Sequence, residues 1–206
     1  MFKVALTGGI ATGKSYVLER FRRLGAACLD ADALAHGATA AGTEASQAIA
    51  ERFGVDVLDS TGAVDRRKLG PMVFADAAAR RDLEAIVHPA VYRAIAAGLR
   101  AFELTGSPIA IVDIPLLYET GGERRFDRVV ATVCSPATQL ARLLARGLSE
   151  AAALQRVNAQ IPAEEKASRA DFVVRTDGTF ADTDSQVEEI WRALGLEVNH
   201  KGHQGH

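Results

Sequence analysis

Two short apolar runs, with a segment of helical periodicity between them, lie near the start of the chain. The run FKVALTG, residues 2–8, is typical of a buried strand, and apolar residues at helical spacing follow from Val17 to Leu24. A second apolar run, AACLDAD, ends in two aspartates. Strand, loop, helix and strand in this short space predict a βαβ unit with a parallel sheet.

The middle of the chain has a different pattern from the two ends. From Ala33 to about Thr105 it is Ala-rich and mostly helical in periodicity, and Pro89 is expected at a first helical turn or a kink. Strands resume at IAIVD, RVVATVC and DFVVRT, with helices between them and a last helix ending at Gly195. The pattern therefore predicts an α/β fold, with a parallel sheet core flanked by helices and a helical insertion.

Composition and charge narrow the class of protein. The 206 residues are 48% hydrophobic and 24% charged, which is typical of a globular domain of ordinary size. A net charge of −2 does not indicate non-specific binding to nucleic acid or to a membrane surface. No apolar run approaches the roughly 18 residues of a membrane span, and the N-terminus shows no signal-peptide anatomy. We expect a soluble cytoplasmic protein in which Cys28 and Cys134 are buried free thiols.

A phosphate-binding loop follows the first predicted strand. The segment GGIATGKS, residues 8–15, has the spacing Gly-x4-Gly-Lys-Ser. Glycines let successive backbone N–H groups face one anion, and the helix that starts there adds its unpaired N–H groups and the positive end of its dipole. In such loops the lysine reaches the β- and γ-phosphates and the hydroxyl is a Mg²⁺ ligand. Lys14 and Ser15 therefore predict a nucleoside triphosphate site.

The loop alone does not separate kinases from other nucleotide hydrolases. The chain lacks an Asn-Lys-x-Asp motif and a Leu-Ser-Gly-Gly-Gln signature, which weakens a GTPase and a transporter ATPase. Asp32 follows the second strand, where it could accept a hydroxyl proton or hold Mg²⁺ through water, while Asp30 is better explained as a helix N-cap. Asp113 ends an apolar strand and is either a Mg²⁺-supporting acid or an ordinary strand-end aspartate. These features favour a small kinase with an acceptor pocket.

Two arginines of the second half suggest a lid. Arg142 and Arg146 are four residues apart and share one helix face. Their guanidinium groups could neutralise charge on a transferring phosphoryl group. For each arginine, a solvated basic helix face is an equally good explanation. Arg146, at a turn between two helices, is the first choice for a catalytic arginine.

The motifs of the whole chain resemble those of the dephospho-CoA kinase family. They are LTGGIATGKS, LDADALAH, GAVDRRKLGPMVF, LEAIVHPAV, IPLLYETG, SPATQLARLLARGLS and RVNAQIPAEEKASRADFVV. They occur in the family's order and at its spacing as far as about Gly195. The resemblance implies an ATP-dependent kinase that phosphorylates the ribose 3′-hydroxyl of dephospho-CoA, the last step of coenzyme A synthesis.

The resemblance also implies a division of the chain into parts. A P-loop nucleotide core would comprise 1–32, 106–138 and 169–196, with a helical acceptor domain at 33–105 and a lid at 139–168. The tail, 197–206, has no periodicity and is predicted to be disordered, with His200, His203 and His206 as solvated residues rather than metal ligands.

Site residues carried over by position fall into two sets. The ATP side, with Mg²⁺ on Ser15, comprises Gly8, Gly9, Ala11, Thr12, Gly13, Lys14, Ser15, Tyr16 and Arg142. The dephospho-CoA side comprises Asp32, Arg66, His88, Pro89, Leu116, Leu117 and Glu119. Lys14, Asp32 and Arg146 would be catalytic.

The chain departs from the family pattern at three positions. Ala11 replaces a common loop glycine, Tyr16 stands where a small hydroxyl residue is usual, and Thr176 stands where asparagine is frequent, near the expected adenine site. Two alternatives remain beside dephospho-CoA kinase: a kinase of another small metabolite or nucleoside monophosphate, and a nucleotide-binding regulator or assembly ATPase without an acceptor.

Overall fold

A mostly parallel sheet forms the centre of the first of two compact units. The computed structural model describes the backbone of residues 1–203 and the side chains of residues 1–198. Within that part of the chain the strands are β1 (Phe2–Gly8), β2 (Ala27–Asp30), β3 (Ile109–Asp113), β4 (Arg128–Val133) and β5 (Phe172–Arg175). Their order is β2-β3-β1-β4-β5, and β1 pairs in parallel with β3 and β4, as β4 does with β5. The predicted strands and the parallel core are confirmed.

Helices connect the strands and build the second unit. They are α1 (Lys14–Arg23), α2 (Ala31–Ala38), α3 (Glu44–Phe53), α4 (Arg66–Ala75), α5 (Ala77–Leu104), α6 (Pro136–Ala145), α7 (Glu150–Asn158), α8 (Ala163–Ser168) and α9 (Phe180–His203). The first unit comprises Met1–Leu29 and the chain from Phe102 onward, and the second comprises Asp30–Ala101. Helix α5 passes from one unit to the other.

The core of the first unit lies on both faces of the sheet. On one face, Leu6 and Val130 pack with Phe21 of α1 and Leu194 of α9, each of them fully buried. On the other face, Ala131 and its neighbours pack against α8. Complete burial of one such large side chain contributes about 1.5–3 kcal/mol, so the packing holds the carboxyl ends of β1, β3 and β4 in fixed register.

The second unit has an apolar cluster of its own. Ile49 of α3 and Leu69 of α4 are buried with Val57, and half-buried side chains of α5 pack around them. The helical insertion predicted from the Ala-rich periodicity is therefore a separate compact unit.

Two expectations about helix ends need correction. Pro89 lies within α5, which excludes a first turn and agrees with the other predicted place, a kink inside a helix. Helix α9 does not end at Gly195 but continues to His203. The predicted disordered tail is therefore wrong for 197–203, while residues 204–206, with His206, lie outside the described residues. Helix α8 was not predicted from the sequence.

Candidate active site

The loop between β1 and α1 presents a row of backbone donors. Gly13 is the N-cap residue of α1 and has φ 86°, a left-handed conformation that costs glycine little. The N–H groups of Gly13, Lys14 and Ser15 form no hydrogen bond with any other described residue. Free N–H groups at the start of a helix are a binding site for phosphate oxygens.

Close packing beneath the loop explains its first glycine. A Cβ atom at Gly8 would lie 2.1 Å from the Thr132 hydroxyl, so no larger residue fits there. The Thr12 hydroxyl shares a 2.7 Å hydrogen bond with that of Thr132 and donates to the Gly9 carbonyl at 2.8 Å. The Thr12 N–H also bonds to Gly9. Thr12 therefore supports the loop from below, and its predicted contact with phosphate finds no support.

Lys14 pairs with the acid that ends the neighbouring strand. Asp113 lies opposite Leu6 in the β1–β3 register, and its carboxylate forms an ion pair with the Lys14 ammonium group. The two side chains are 15% and 6% exposed, respectively. Asp113 thus lies beside the phosphate-binding loop, and its role as a Mg²⁺-supporting acid stays a prediction.

The residues around the loop fit a Mg²⁺ ion bound together with phosphates. Ser15 is exposed in the first turn of α1, and its hydroxyl makes no hydrogen bond with the described residues. The described residues include no group of three or more His, Cys, Asp or Glu side chains that could hold a metal alone. Mg²⁺ in kinases needs only one or two protein oxygens, because substrate phosphates and waters complete its shell.

Side chains of α6 and of the segments that follow α7 and β5 fix the outer part of the loop. The Gln139 side chain donates to the Ile10 backbone carbonyl at 2.7 Å, and the side-chain Oε1 of Gln160 accepts from the Ile10 N–H at 2.8 Å. Arg142 donates to the Ala11 carbonyl and the Thr176 hydroxyl, both at 3.0 Å, and to the Thr176 carbonyl at 2.6 Å. Arg142, predicted to bind ATP, therefore holds the loop in this structure. The two glutamines were missed, since no motif distinguished them.

A cleft of about 470 Å³ opens beside the loop. Arg142, Arg146 and Thr176 line it together with Gly13 and Tyr16. Arg146 is exposed and pairs with no carboxylate among the described residues, so its guanidinium group is available to an anion. The Tyr16 hydroxyl donates to Asp184 at 2.8 Å and its N–H bonds to Gly13. Tyr16 therefore lines the cleft with its ring, and its predicted role as a phosphate ligand finds no support.

A buried lysine that the sequence did not reveal lies behind the loop. Lys166 of α8 is fully buried, donates to the Pro115 carbonyl at 2.7 Å and pairs with Glu119 at 2.7 Å. Burial lowers the pKa of Lys166, as does the nearby charge of Lys14, while Glu119 opposes the change. Leu117 is also fully buried, and Leu116 is 43% exposed. Leu117 and Glu119 are thus engaged within the first unit, and their place in an acceptor pocket stays a prediction.

The remaining predicted site residues belong to the second unit. Asp30 caps α2 by accepting from the N–H groups of Asp32 at 2.8 Å and Ala33 at 3.1 Å, as predicted. The Asp32 side chain is exposed and makes no hydrogen bond with the described residues. Arg66 begins α4 at the edge of a mainly apolar pocket of about 260 Å³.

The other two acceptor-side residues of this unit lie on α5. His88 is half-buried, and Pro89 is exposed beside it. Neither of them lines the pocket at Arg66.

The two cysteines are free, as predicted. Cys134 is buried and Cys28 is half-buried. Burial raises the pKa of Cys28 to about 11 and also raises that of Cys134. Both thiols therefore stay protonated at neutral pH and are poor nucleophiles.

The fold and the loop together define the class of protein. A parallel sheet with a phosphate loop after its central strand, a loop lysine and an adjacent strand-end acid is the arrangement of the P-loop nucleotide-binding proteins, which include small-molecule kinases. Comparison with known proteins gives the family: the dephospho-CoA kinase family model matches residues 2–182. The chain belongs to the dephospho-CoA kinase family.

Individual relatives agree with the family model. The chain is 43% identical over 189 residues to a dephospho-CoA kinase of Geobacter sulfurreducens, covering 91% of this chain and 96% of the relative. It is similar to the crystal structure of TT1252 from Thermus thermophilus, with TM-score 0.81, 34% identity, and 94% and 97% of the two chains covered. The dephospho-CoA kinase from Campylobacter jejuni has TM-score 0.71 and 27% identity, with 93% and 96% covered.

Membrane insertion of a helix is not indicated. No helix within residues 1–203 combines the length and the apolar character needed to cross a bilayer.

Proposed function

We propose that this protein transfers the γ-phosphoryl group of ATP to the ribose 3′-hydroxyl of dephospho-CoA, giving coenzyme A and ADP. The observation that carries the proposal is the P-loop site, with the N–H groups of residues 13–15 free and Lys14 beside them, in a chain of this family. This reaction would complete coenzyme A synthesis. A cytoplasmic location remains a prediction from the sequence.

The donor side would act through charge and position. The free N–H groups and Lys14 bind the β- and γ-phosphates, and Lys14 exchanges its bond to Asp113 for phosphate oxygens. The Ser15 hydroxyl and the Asp113 carboxylate are the oxygens that would hold Mg²⁺, directly or through water. When bound, the ion neutralises the charge of the phosphates and helps to orient them.

The acceptor side would be the helical unit, proposed as the dephospho-CoA domain over 33–105. Asp32 would orient the ribose hydroxyl and take its proton, which its free carboxylate allows. Arg66, exposed and without a carboxylate partner among the described residues, suits the pyrophosphate of dephospho-CoA. His88, Pro89 and Leu116 are proposed to contribute to acceptor binding.

The segment 139–168 is proposed as the lid. Arg146 would stabilise the charge on the transferring phosphoryl group, since its guanidinium group lines the cleft and has no protein anion. Closure of this segment would also exclude water, which would otherwise compete with the ribose hydroxyl.

One assay separates the proposal from its two alternatives. ATP consumption is measured alone and with dephospho-CoA, AMP or shikimate. Stimulation by dephospho-CoA alone, with coenzyme A as the product, is the expected result. Stimulation by AMP or shikimate would indicate another small-molecule kinase, and hydrolysis independent of any acceptor would indicate a regulator or assembly ATPase.

A further inference from the structure

Two aromatic rings form a wall of the cleft beside the phosphate loop. The ring centroids of Tyr16 and Phe180 lie 4.8 Å apart with 44° between the ring planes, and both residues line the cleft. Phe180 is 72% exposed. An exposed phenylalanine at the mouth of a cleft offers an apolar face to a flat ligand.

Local hydrogen bonds fix both residues of this wall. Thr179 caps α9, because its hydroxyl accepts from the Asp182 N–H at 3.1 Å while the Asp182 carboxylate accepts from the Thr179 N–H at 2.8 Å. Phe180 is the first residue of that helix. The Tyr16 hydroxyl is held by Asp184, which also pairs with Arg20 at 2.8 Å. The cap therefore holds the backbone at Phe180 and Asp184 holds the Tyr16 ring, which lowers the entropic cost of stacking a ligand on this wall.

The side-chain hydroxyls of the cleft are already engaged. The Thr176 hydroxyl donates to the Thr12 carbonyl at 2.8 Å and accepts from Arg142 at 3.0 Å. The Thr179 and Thr183 hydroxyls donate to the Asp182 carboxylate and the Thr179 carbonyl, at 2.7 Å and 3.2 Å. None of the described residues that line the cleft is Asn, Gln, Asp or Glu. The cleft thus has an aromatic face but no free side-chain amide or carboxylate with which to distinguish one base edge from another.

We propose that the Tyr16–Phe180 wall binds the nucleobase of the phosphoryl donor by stacking, and that the donor site therefore accepts nucleoside triphosphates with different bases. Stacking does not depend on which base is present, because every base has a π-face. Discrimination between bases requires hydrogen bonds to the base edge. The inference rests on the proposed function only in taking the loop as the triphosphate site. It extends that function from ATP to GTP, CTP and UTP as donors.

Binding of five ligands tests the proposal directly. Isothermal titration of the full-length protein is carried out with ATP, GTP, CTP, UTP and inorganic tripolyphosphate. We expect the four nucleotides to bind within about tenfold of each other, with the purines tighter because they stack over a larger area. We expect tripolyphosphate, which has no base, to bind at least about tenfold more weakly than ATP.

Variants of Phe180 show whether the aromatic wall causes the difference in affinity between the nucleotides and tripolyphosphate. Phe180→Ala should weaken all four nucleotides by a similar factor of about tenfold and leave tripolyphosphate unchanged. Phe180→Leu keeps an apolar side chain without a π-face and should behave in the same way, while Phe180→Trp should retain nucleotide binding. Phe74→Ala is the matched control, since Phe74 is 77% exposed and does not line this cleft.

The outcomes distinguish this proposal from the proposed function. Selection of ATP over GTP by about a hundredfold or more would overturn the inference, as would unchanged nucleotide binding by both Phe180→Ala and Phe180→Leu. If dephospho-CoA is still phosphorylated in either case, the proposed function stands and only the inference about the nucleobase fails. If no nucleoside triphosphate binds, both proposals fail.

Discussion

The ammonium group of Lys14 forms an ion pair with the carboxylate of Asp113, and both side chains are largely shielded from water. The proposed phosphate-binding cation is thus held by the proposed magnesium-supporting acid. Phosphate must compete with the Asp113 carboxylate for Lys14, and a bound Mg²⁺ ion would replace Lys14 as the partner of Asp113. Binding of the phosphates and binding of Mg²⁺ should therefore favour each other.

Asp113→Asn separates these two effects. Loss of the carboxylate weakens the hold on Lys14, so ATP should bind about five- to tenfold more tightly in EDTA, which is within the range of about 0.5–1.5 kcal/mol for one ordinary hydrogen bond. With Mg²⁺ present, turnover should fall by at least about tenfold, because one oxygen anion near the metal is lost. Fluorescence titrations with and without Mg²⁺, beside steady-state kinetics, measure both. Weaker binding in EDTA would show that Asp113 does not compete for Lys14.

Arg146→Ala tests the proposed lid arginine. A guanidinium group that acts on the transferring phosphoryl group contributes about a thousandfold or more to turnover, so kcat should fall by that order with a much smaller change in ATP affinity. Stability should change little, since Arg146 is exposed. Arg100→Ala, an exposed arginine of α5, is the control and should keep its turnover. Near-normal kcat in the Arg146 variant would remove this residue from the mechanism.

Asp32→Asn distinguishes a base from an anchor. If Asp32 takes the hydroxyl proton, kcat should fall by about a hundredfold or more, while the KM for dephospho-CoA changes little. A raised KM with unchanged kcat would assign an anchoring role instead. Asp30→Asn is a matched control, because asparagine caps a helix about as well as aspartate and the substitution should preserve turnover.

The elements that the sequence predicted well are those with strong local signals. The apolar runs of β1, β3 and β4 are buried on both faces, and the phosphate loop has a spacing that few other structures require. Ala11 was also recognised as unusual, and it adopts φ 61°, which costs an alanine about 1–2 kcal/mol. Its methyl group packs with Leu143 and Ala153, a tertiary contact that offsets the strain and that no local pattern reveals.

The parts that could not be predicted depend on long-range contacts. Lys166 lies in a charged segment that is typical of an exposed helix, and only the packing of α8 against β4 buries it. Leu117 was assigned to a ligand pocket because its motif suggested one, yet its side chain fills the interior. Burial and pairing arise between segments far apart in sequence, so these residues carried no local signal for their roles.

Asp177→Asn should reduce stability in a pH-dependent manner. Asp177 accepts from the Ser135 N–H at 2.9 Å and from the Thr138 hydroxyl at 2.7 Å, and these bonds lower its pKa from the ordinary 3.8. A lowered pKa means that the stabilisation is complete above the unfolded-state value and is lost as pH falls through the folded-state value. Urea unfolding from pH 3 to 7 should therefore show the two proteins converging below about pH 4. Glu189→Gln, an exposed carboxylate of α9, should show no such convergence.

Lys166→Met tests whether the buried amine holds the segment that follows β3. The variant keeps the length and apolar stem of the lysine but leaves Glu119, whose side chain is 20% exposed, without its cation. Removal of one partner of a buried pair costs about 3–5 kcal/mol. Because Glu119 is partly exposed, the free energy of unfolding should fall by about 3 kcal/mol. Lys166→Met with Glu119→Met should lose less than the sum of the single variants, because no charge is then left unpaired. Additive losses in urea unfolding would show that Lys166 acts through its packing and its bond to Pro115, not through Glu119.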